Sequence, residues 1–258
     1  MDYENLLYEK DKGIAVVILN RPDKMNALSL ALIEELIHLL GSIGGDEKIR
    51  VVVIKSRGKA FCSGHDMSEM TGRGPRFYQK LFERCSEMMQ LIRHLPQPVI
   101  AQVQGIATAA GCQLAASCDL TIASEDARFA TPGVKIGLFC STPMVPVTRA
   151  VGRKKALEML LTGDMMTASE AERCGLINRA VPSDVLEREV ESLATKIAQA
   201  SPLVVQIGKK AFYSQLEMEE STAYAYTARV IALNAMADDA QEGMSAFLEK
   251  RQPFWKGK

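Results

Sequence analysis

The residues of this chain best placed to act on a ligand have almost no side chain. Gly105, Ala107, Ala109, Ala110 and Gly111 crowd a turn between an apolar strand-like run, Pro98 to Val103, and a segment, Cys112 to Ser117, that suits a short packed helix. A helix start carries unpaired N–H groups and the positive end of a dipole, so such a turn can hold negative charge developing on a ligand oxygen. The same small residues also let a helix pack tightly on a sheet, and composition alone leaves both readings open. His65 and Asp66 have the residue types of an acid–base pair, but sequence neighbours usually point apart, so structural roles are expected of them. Cys140 reads as a small buried hydrophobe unless its thiol is activated. Ser141 and Thr142 read either as caps of a helix before Met144 or as polar groups of a pocket, and Glu125 and Asp126 as turn residues.

The elements that must position these residues follow from pattern. Ile14 to Asn20 is a β-branched strand, Ser29 to Ile43 a helix with an apolar stripe, and Val51 to Lys55 a strand apolar at nearly every position. Ser56 to Gly74 is a loop at that strand's carboxyl end, where open α/β sheets bind ligands. A helix from Phe77 to Leu95 stops at the prolines of H-L-P-Q-P. Leu120 to Ser124 and Leu176 to Val181 are expected strands, and Ala127 to Val134 a strand or loop broken by Pro132-Gly133. From Val147 onward the pattern is mostly helical, with serines capping helices that begin at Ser183 and Ser201 and a break near Asp238-Asp239. This predicts an α/β layer followed by a helical C-terminal part, divided as residues 1–200 and 201–258.

The chain has 31 basic and 31 acidic residues, so its balance makes no case for nucleic acid or an anionic membrane. Its only basic cluster of note, Arg153-Lys154-Lys155, is short. The six cysteines form no C-x-x-C pair, which argues against a zinc site or disulfide scaffold, and no metal is expected. No apolar run is long enough to span a membrane. The acidic N-terminus predicts a cytoplasmic protein, or a matrix protein if a mitochondrial transit peptide has been removed.

Several ordered segments together resemble the crotonase (enoyl-CoA hydratase/isomerase) superfamily: R-P-D-K-M-N-A-L (Arg21 to Leu28), A-F-C-S-G-H-D (Ala60 to Asp66), P-V-I-A-Q-V-Q-G-I-A-T-A-A-G-C-Q-L (Pro98 to Leu114), A-R-F-A-T-P (Ala127 to Pro132) and E-G-M-S-A-F-L-E-K-R (Glu242 to Arg251). The resemblance implies a crotonase (ClpP-like) fold of repeated ββα units. It also implies a helical C-terminal part that joins subunits into a homotrimer or a dimer of trimers, and an acyl-CoA as the bound small molecule. CoA is then part of the substrate, and no separate cofactor is expected.

By the same resemblance the backbone amides of His65 and Ala110 form the oxyanion hole for the thioester carbonyl. CoA lies along Lys24, Met25, Ala27, Ala60, Cys62 and Ser63, with Phe247 and Lys250 added from the C-terminal helix. The chain departs from the family at both acids: the glutamates that activate water fall on Gln113 and on Gly133, a vacant acid position. Gln113 can orient water but cannot take its proton, so hydratase activity is expected to be poor. The alternatives are a CoA-thioester decarboxylase or hydrolase, or a non-catalytic acyl-CoA-binding protein; the nearby candidates to replace the missing acids are Cys140, Ser141 and Thr142, with His65 and Asp66. The G-H-D at Gly64 to Asp66 is similar to that of methylmalonyl-CoA decarboxylases, although Cys140 stands where those enzymes have a tyrosine.

Overall fold

Residues 3–258 are described by a computed structural model, and two sheets organise them. The hairpin β1 (Leu6–Asp11) and β2 (Ile14–Leu19) turns at Lys12 and Gly13, both with positive φ, and leads through a short 3-10 turn to α1 (Leu30–Gly44). Then come β3 (Val51–Ser56), β4 (Ala60–Cys62), the one-turn α2 (Met67–Met70) and α3 (Pro75–His94). The pattern repeats with β5 (Val99–Val103), β6 (Ile106–Thr108) and α4 (Ala110–Ser117), and again with β7 (Leu120–Ser124), β8 (Arg128–Ala130), a 3-10 turn at Pro132–Ile136, α5 (Met144–Ala150) and α6 (Arg153–Thr162). Next are β9 (Met166–Thr167), α7 (Ala168–Arg173), β10 (Arg179–Val181) and α8 (Leu186–Ala198). The C-terminal helices are α9 (Pro202–Gln215), α10 (Glu220–Ala235) and α11 (Asp238–Glu249).

The larger sheet runs β1-β2-β3-β5-β7-β10, parallel except for the first hairpin, and the smaller runs β4-β6-β8-β9. The strand pairs β3–β4, β5–β6 and β7–β8 thus each give one strand to each sheet, while β1 and β2 both join the larger. The unbroken apolar run of β3 has a direct cause: Val52 and Ile54 enter the main core, while Val51 and Val53 pack with Ile100 and Ile122 on Leu186, Val190 and Ala194 of α8. Ser201 caps α9 as expected, accepting from the Val204 amide. Ser183 does not cap α8: its hydroxyl donates to Asp126, and α8 starts at Leu186 without a side-chain cap.

The C-terminal helices reach the core through a buried polar knot. Lys209 Nζ donates to Asp119 (2.7 Å) and to the Ile92 and Gln97 carbonyls, while the Tyr213 hydroxyl donates to the other Asp119 oxygen (2.8 Å). Asp239, in the first turn of α11, accepts from Ser201 (2.5 Å) and from the Lys256 and Gly257 amides. The Trp255 indole donates to Gln199 O (2.8 Å), so the tail is tied to the end of α8. By contrast α10 buries none of its residues. No helix among the described residues is long and apolar enough to cross a membrane.

Candidate functional site

Three segments meet at the carboxyl ends of the central strands. In the first, residues 21–28, a 3-10 turn is followed by Met25 and Asn26, both in the left-handed region at φ 51° and 53°. Asparagine tolerates that region, and here its side chain is fully buried and used completely. Asn26 Oδ1 accepts from the Arg21 amide (2.9 Å), and Nδ2 donates to the Arg57 and Ala60 carbonyls (both 2.8 Å), which fastens the turn to β4. Backbone bonds complete the seam: Ser63 N to Met25 O (3.1 Å), Leu28 N to Gly64 O (2.7 Å) and Asp66 N to Leu28 O (3.1 Å). Lys24, Met25 and Ala27 are thereby brought alongside Ala60, Cys62 and Ser63. Burial pushes the Cys62 thiol up to about 12, so its side chain stays protonated.

His65 and Asp66 part company, as their adjacency predicts. Asp66 caps α2, accepting from the Ser68 amide (3.1 Å) and hydroxyl (2.5 Å), and pairs with Arg21 Nη2 (2.9 Å). The Ser68 hydroxyl, against the cost of burial, and then the Arg21 guanidinium hold its carboxyl below the usual range. The His65 ring instead stands edge-on to Phe82, with centroids 5.3 Å apart, and its Nε2 is buried without a partner among the described residues. Burial pushes its pKa down to about 4, so the imidazole is neutral at neutral pH.

The third segment is the small-residue turn between β6 and α4. The Thr108 hydroxyl donates to Ser63 O (3.1 Å), and Ala109 N to Ala130 O (2.9 Å). Ala109 itself sits at φ 50°, ψ −117°, a conformation that costs a non-glycine residue about 1–3 kcal/mol and is tolerated where its surroundings impose it. Approach to β4 is so close that a Cβ on Gly111 would lie 2.0 Å from Cys62 O, which accounts for the glycine. A Cβ on Gly64 would lie 2.9 Å from that of Ala109 and 3.5 Å from Ala110 N, so the G-H-D loop abuts the first turn of α4. Among the described residues, neither the His65 amide nor the Ala110 amide has an acceptor. Two free amides on abutting segments are the components of an oxyanion site.

Gln113, one turn along α4, is buried, and its Oε1 accepts from the Thr142 hydroxyl (3.3 Å). Thr142, half-buried, therefore partners Gln113 and does not act as a helix cap; α5 has no side-chain cap. Gly133 is vacant of an acid but not of atoms. A Cβ there would lie 2.0 Å from Leu138 O and 2.8 Å from Cys140 Sγ, and the Gly133 amide donates to that sulfur (3.4 Å). Burial, partly offset by this hydrogen bond, raises the Cys140 thiol above its ordinary value. Phe247 and Lys250 are placed elsewhere in the single chain. Phe247 lies on α11, which packs on α9 and α10, and Lys250 is that helix's left-handed C-cap; Phe247 lines a cavity of about 420 Å³ with Val204, Met244 and Trp255.

Sequence reasoning passed over Arg21 and Asn26, which build the seam. The signal available for Asn26 was its residue type, since asparagine inside a Pro-initiated turn is a common left-handed residue. Arg21 gave no local signal, because its partner lies 45 residues away.

The enoyl-CoA hydratase/isomerase family model matches residues 9–258, and the chain belongs to that family, with its crotonase fold. Among its relatives, the mitochondrial enoyl-CoA hydratase domain-containing protein 3 of Rattus norvegicus is 48% identical over 244 residues, covering 94% of this chain and 81% of that protein. The Homo sapiens protein of the same name is 46% identical, covering 94% and 80%. Among solved structures, a Mycobacterium smegmatis enoyl-CoA hydratase superposes with a TM-score of 0.95 at 48% identity, over 97% of this chain and 98% of that one. The human domain-containing protein 3 superposes with a TM-score of 0.96 at 45% identity, over 98% and 100%.

Proposed function

We propose that this protein binds an acyl-CoA and polarises its thioester carbonyl between the His65 and Ala110 amides, while lacking the machinery of an ordinary hydratase. The observation that carries this is the pair of unpaired amides on abutting loops. The seam of residues 21–28 and 60–63 supports the reading that CoA lies along Lys24, Met25, Ala27, Ala60, Cys62 and Ser63. Against hydration stand Gln113, whose amide cannot take a proton from water, and Gly133, where the Leu138 carbonyl and the Cys140 thiol fill the space of a side chain. Because Cys140 is held as a thiol, its substitution for either acid is disfavoured. A reaction that needs only the polarised carbonyl, such as decarboxylation of a CoA thioester, fits these groups better than addition of water. The test is calorimetric binding of butyryl-CoA together with a crotonyl-CoA hydration assay. Expected are saturable binding and hydration slower by about 10²-fold or more than with both acids present; turnover at an ordinary hydratase's rate refutes the second half.

We also propose that residues 201–258 join subunits, as a homotrimer or a dimer of trimers. Helix α10 supports this, with Tyr224, Ile231, Leu233 and Met236 each between 65% and 78% exposed in the single chain. Such assembly is also a route by which Phe247 and Lys250 would approach a neighbouring chain's CoA. The domain-containing protein 3 relatives are named as mitochondrial, which supports a mitochondrial over a cytoplasmic location for this chain.

A further inference from the structure

The His65 amide sits at the end of a chain of hydrogen-bonded peptide groups. Arg21 Nη1 donates to the carbonyl of Ala27. The N–H of that same peptide group, on Leu28, donates to Gly64 O (2.7 Å). The N–H of the Gly64 peptide group is that of His65, which has no acceptor among the described residues. At the head of the chain the guanidinium is anchored by Asp66, 2.9 Å away, and the Asp66 amide returns to Leu28 O (3.1 Å), so Leu28 holds the backbone on both sides of His65. A cation donating to a carbonyl makes the N–H of the same peptide group a better donor, and each further link passes part of that polarisation on, by roughly 10–30% per bond. The other amide, on Ala110, is supported differently: its peptide carbonyl accepts from Gln113 N (3.0 Å) within the first turn of α4.

We propose that Arg21, anchored by Asp66, is a positioning residue that orients and polarises the His65 amide through the Ala27 and Gly64 peptide groups. This rests on the acyl-thioester reading of the site. It assigns a charge to a contact otherwise made by backbone alone, and it explains why the aspartate of G-H-D faces an arginine instead of a substrate.

The experiment compares two ligands on the full-length protein: a butyryl-CoA labelled with ¹³C at the thioester carbonyl, and the butyl thioether of CoA, which lacks the carbonyl. Wild-type protein is expected to bind the thioester more tightly and to lower its carbonyl stretching frequency. Arg21→Met, which removes both the orientation and the relayed polarisation of the His65 amide, should weaken thioester binding severalfold, leave the thioether within about twofold, and shrink the frequency shift. A full shift retained in Arg21→Met overturns the proposal, as does parallel weakening of both ligands, the mark of a merely structural role. If Arg21→Met does not fold, Asp66→Asn, which removes only the anchoring charge, should lessen the same preference, and an unchanged preference there overturns it. Wild-type protein that does not distinguish the two ligands removes the acyl-thioester reading and this inference with it.

Discussion

On one side of the candidate site, residues 21–28, 60–66 and 105–113 are joined by a buried asparagine, an ion pair and a run of backbone hydrogen bonds. On the other, residues 131–145 offer a glycine, a protonated thiol and a threonine hydroxyl turned to Gln113, with Ile136, Leu138 and Phe139 exposed around them. On the proposed acyl-thioester reading the first side holds a carbonyl oxygen, while the second, residues 131–145, offers no carboxylate to move a proton. On that reading carbonyl polarisation and acid–base help are separable requirements, and this chain is proposed to have the first without the second.

Substitutions at the two sides test that contrast, and the largest effect is expected on the carbonyl side. Gly111→Ala forces a methyl to 2.0 Å from Cys62 O and should destabilise by about 3 kcal/mol in urea unfolding. Gly208→Ala, in the interior of α9 with open space around it, should instead be neutral or gain about 0.5–1 kcal/mol. If the two behave alike, the close approach of α4 to β4 is not the constraint described.

On the other side, Gln113→Glu should fold and still leave crotonyl-CoA hydration about 10²-fold or more below that of a site with both acids. Gly133→Ala should cost about 1–3 kcal/mol, because the Leu138 carbonyl must move. Fast hydration by Gln113→Glu alone would show that a second acid comes from elsewhere. A last test concerns His65. Its folded pKa, about 4, lies below the ordinary 6.5, so the unfolded chain binds a proton that the folded chain refuses between those values. Its share of stability is complete above pH 6.5 and is lost as pH falls toward 4. Across that window wild type should lose stability relative to His65→Phe as pH falls, and parallel curves would mean the ring is solvated.

The long elements were legible in sequence because each carries many residues of one period. Ile14 to Asn20, Ser29 to Ile43 and Val51 to Lys55 came within a residue or so of β2, α1 and β3. Strands β4, β6 and β8, three residues each, are too short to display alternation, and β4 and α2 lay hidden in what reads as a loop. Strand β1 was missed because it is an edge that buries only Leu6 and is otherwise polar or half-exposed. At the site, the turn before α4 was readable from its small residues, and the loss of both acids from the family pattern. The reason Gly133 admits no side chain was not, since Leu138 O reaches it only through tertiary folding.

The sole tryptophan, Trp255, has a practical consequence. Its indole is bound to Gln199 and borders the C-terminal cavity with Phe247 and Met244, in a different part of the chain from the thioester seam. Intrinsic fluorescence of this protein is therefore a gauge of how the tail is seated and of whether chains have come together. A ligand titration followed at that wavelength would register chiefly what the terminal helices do.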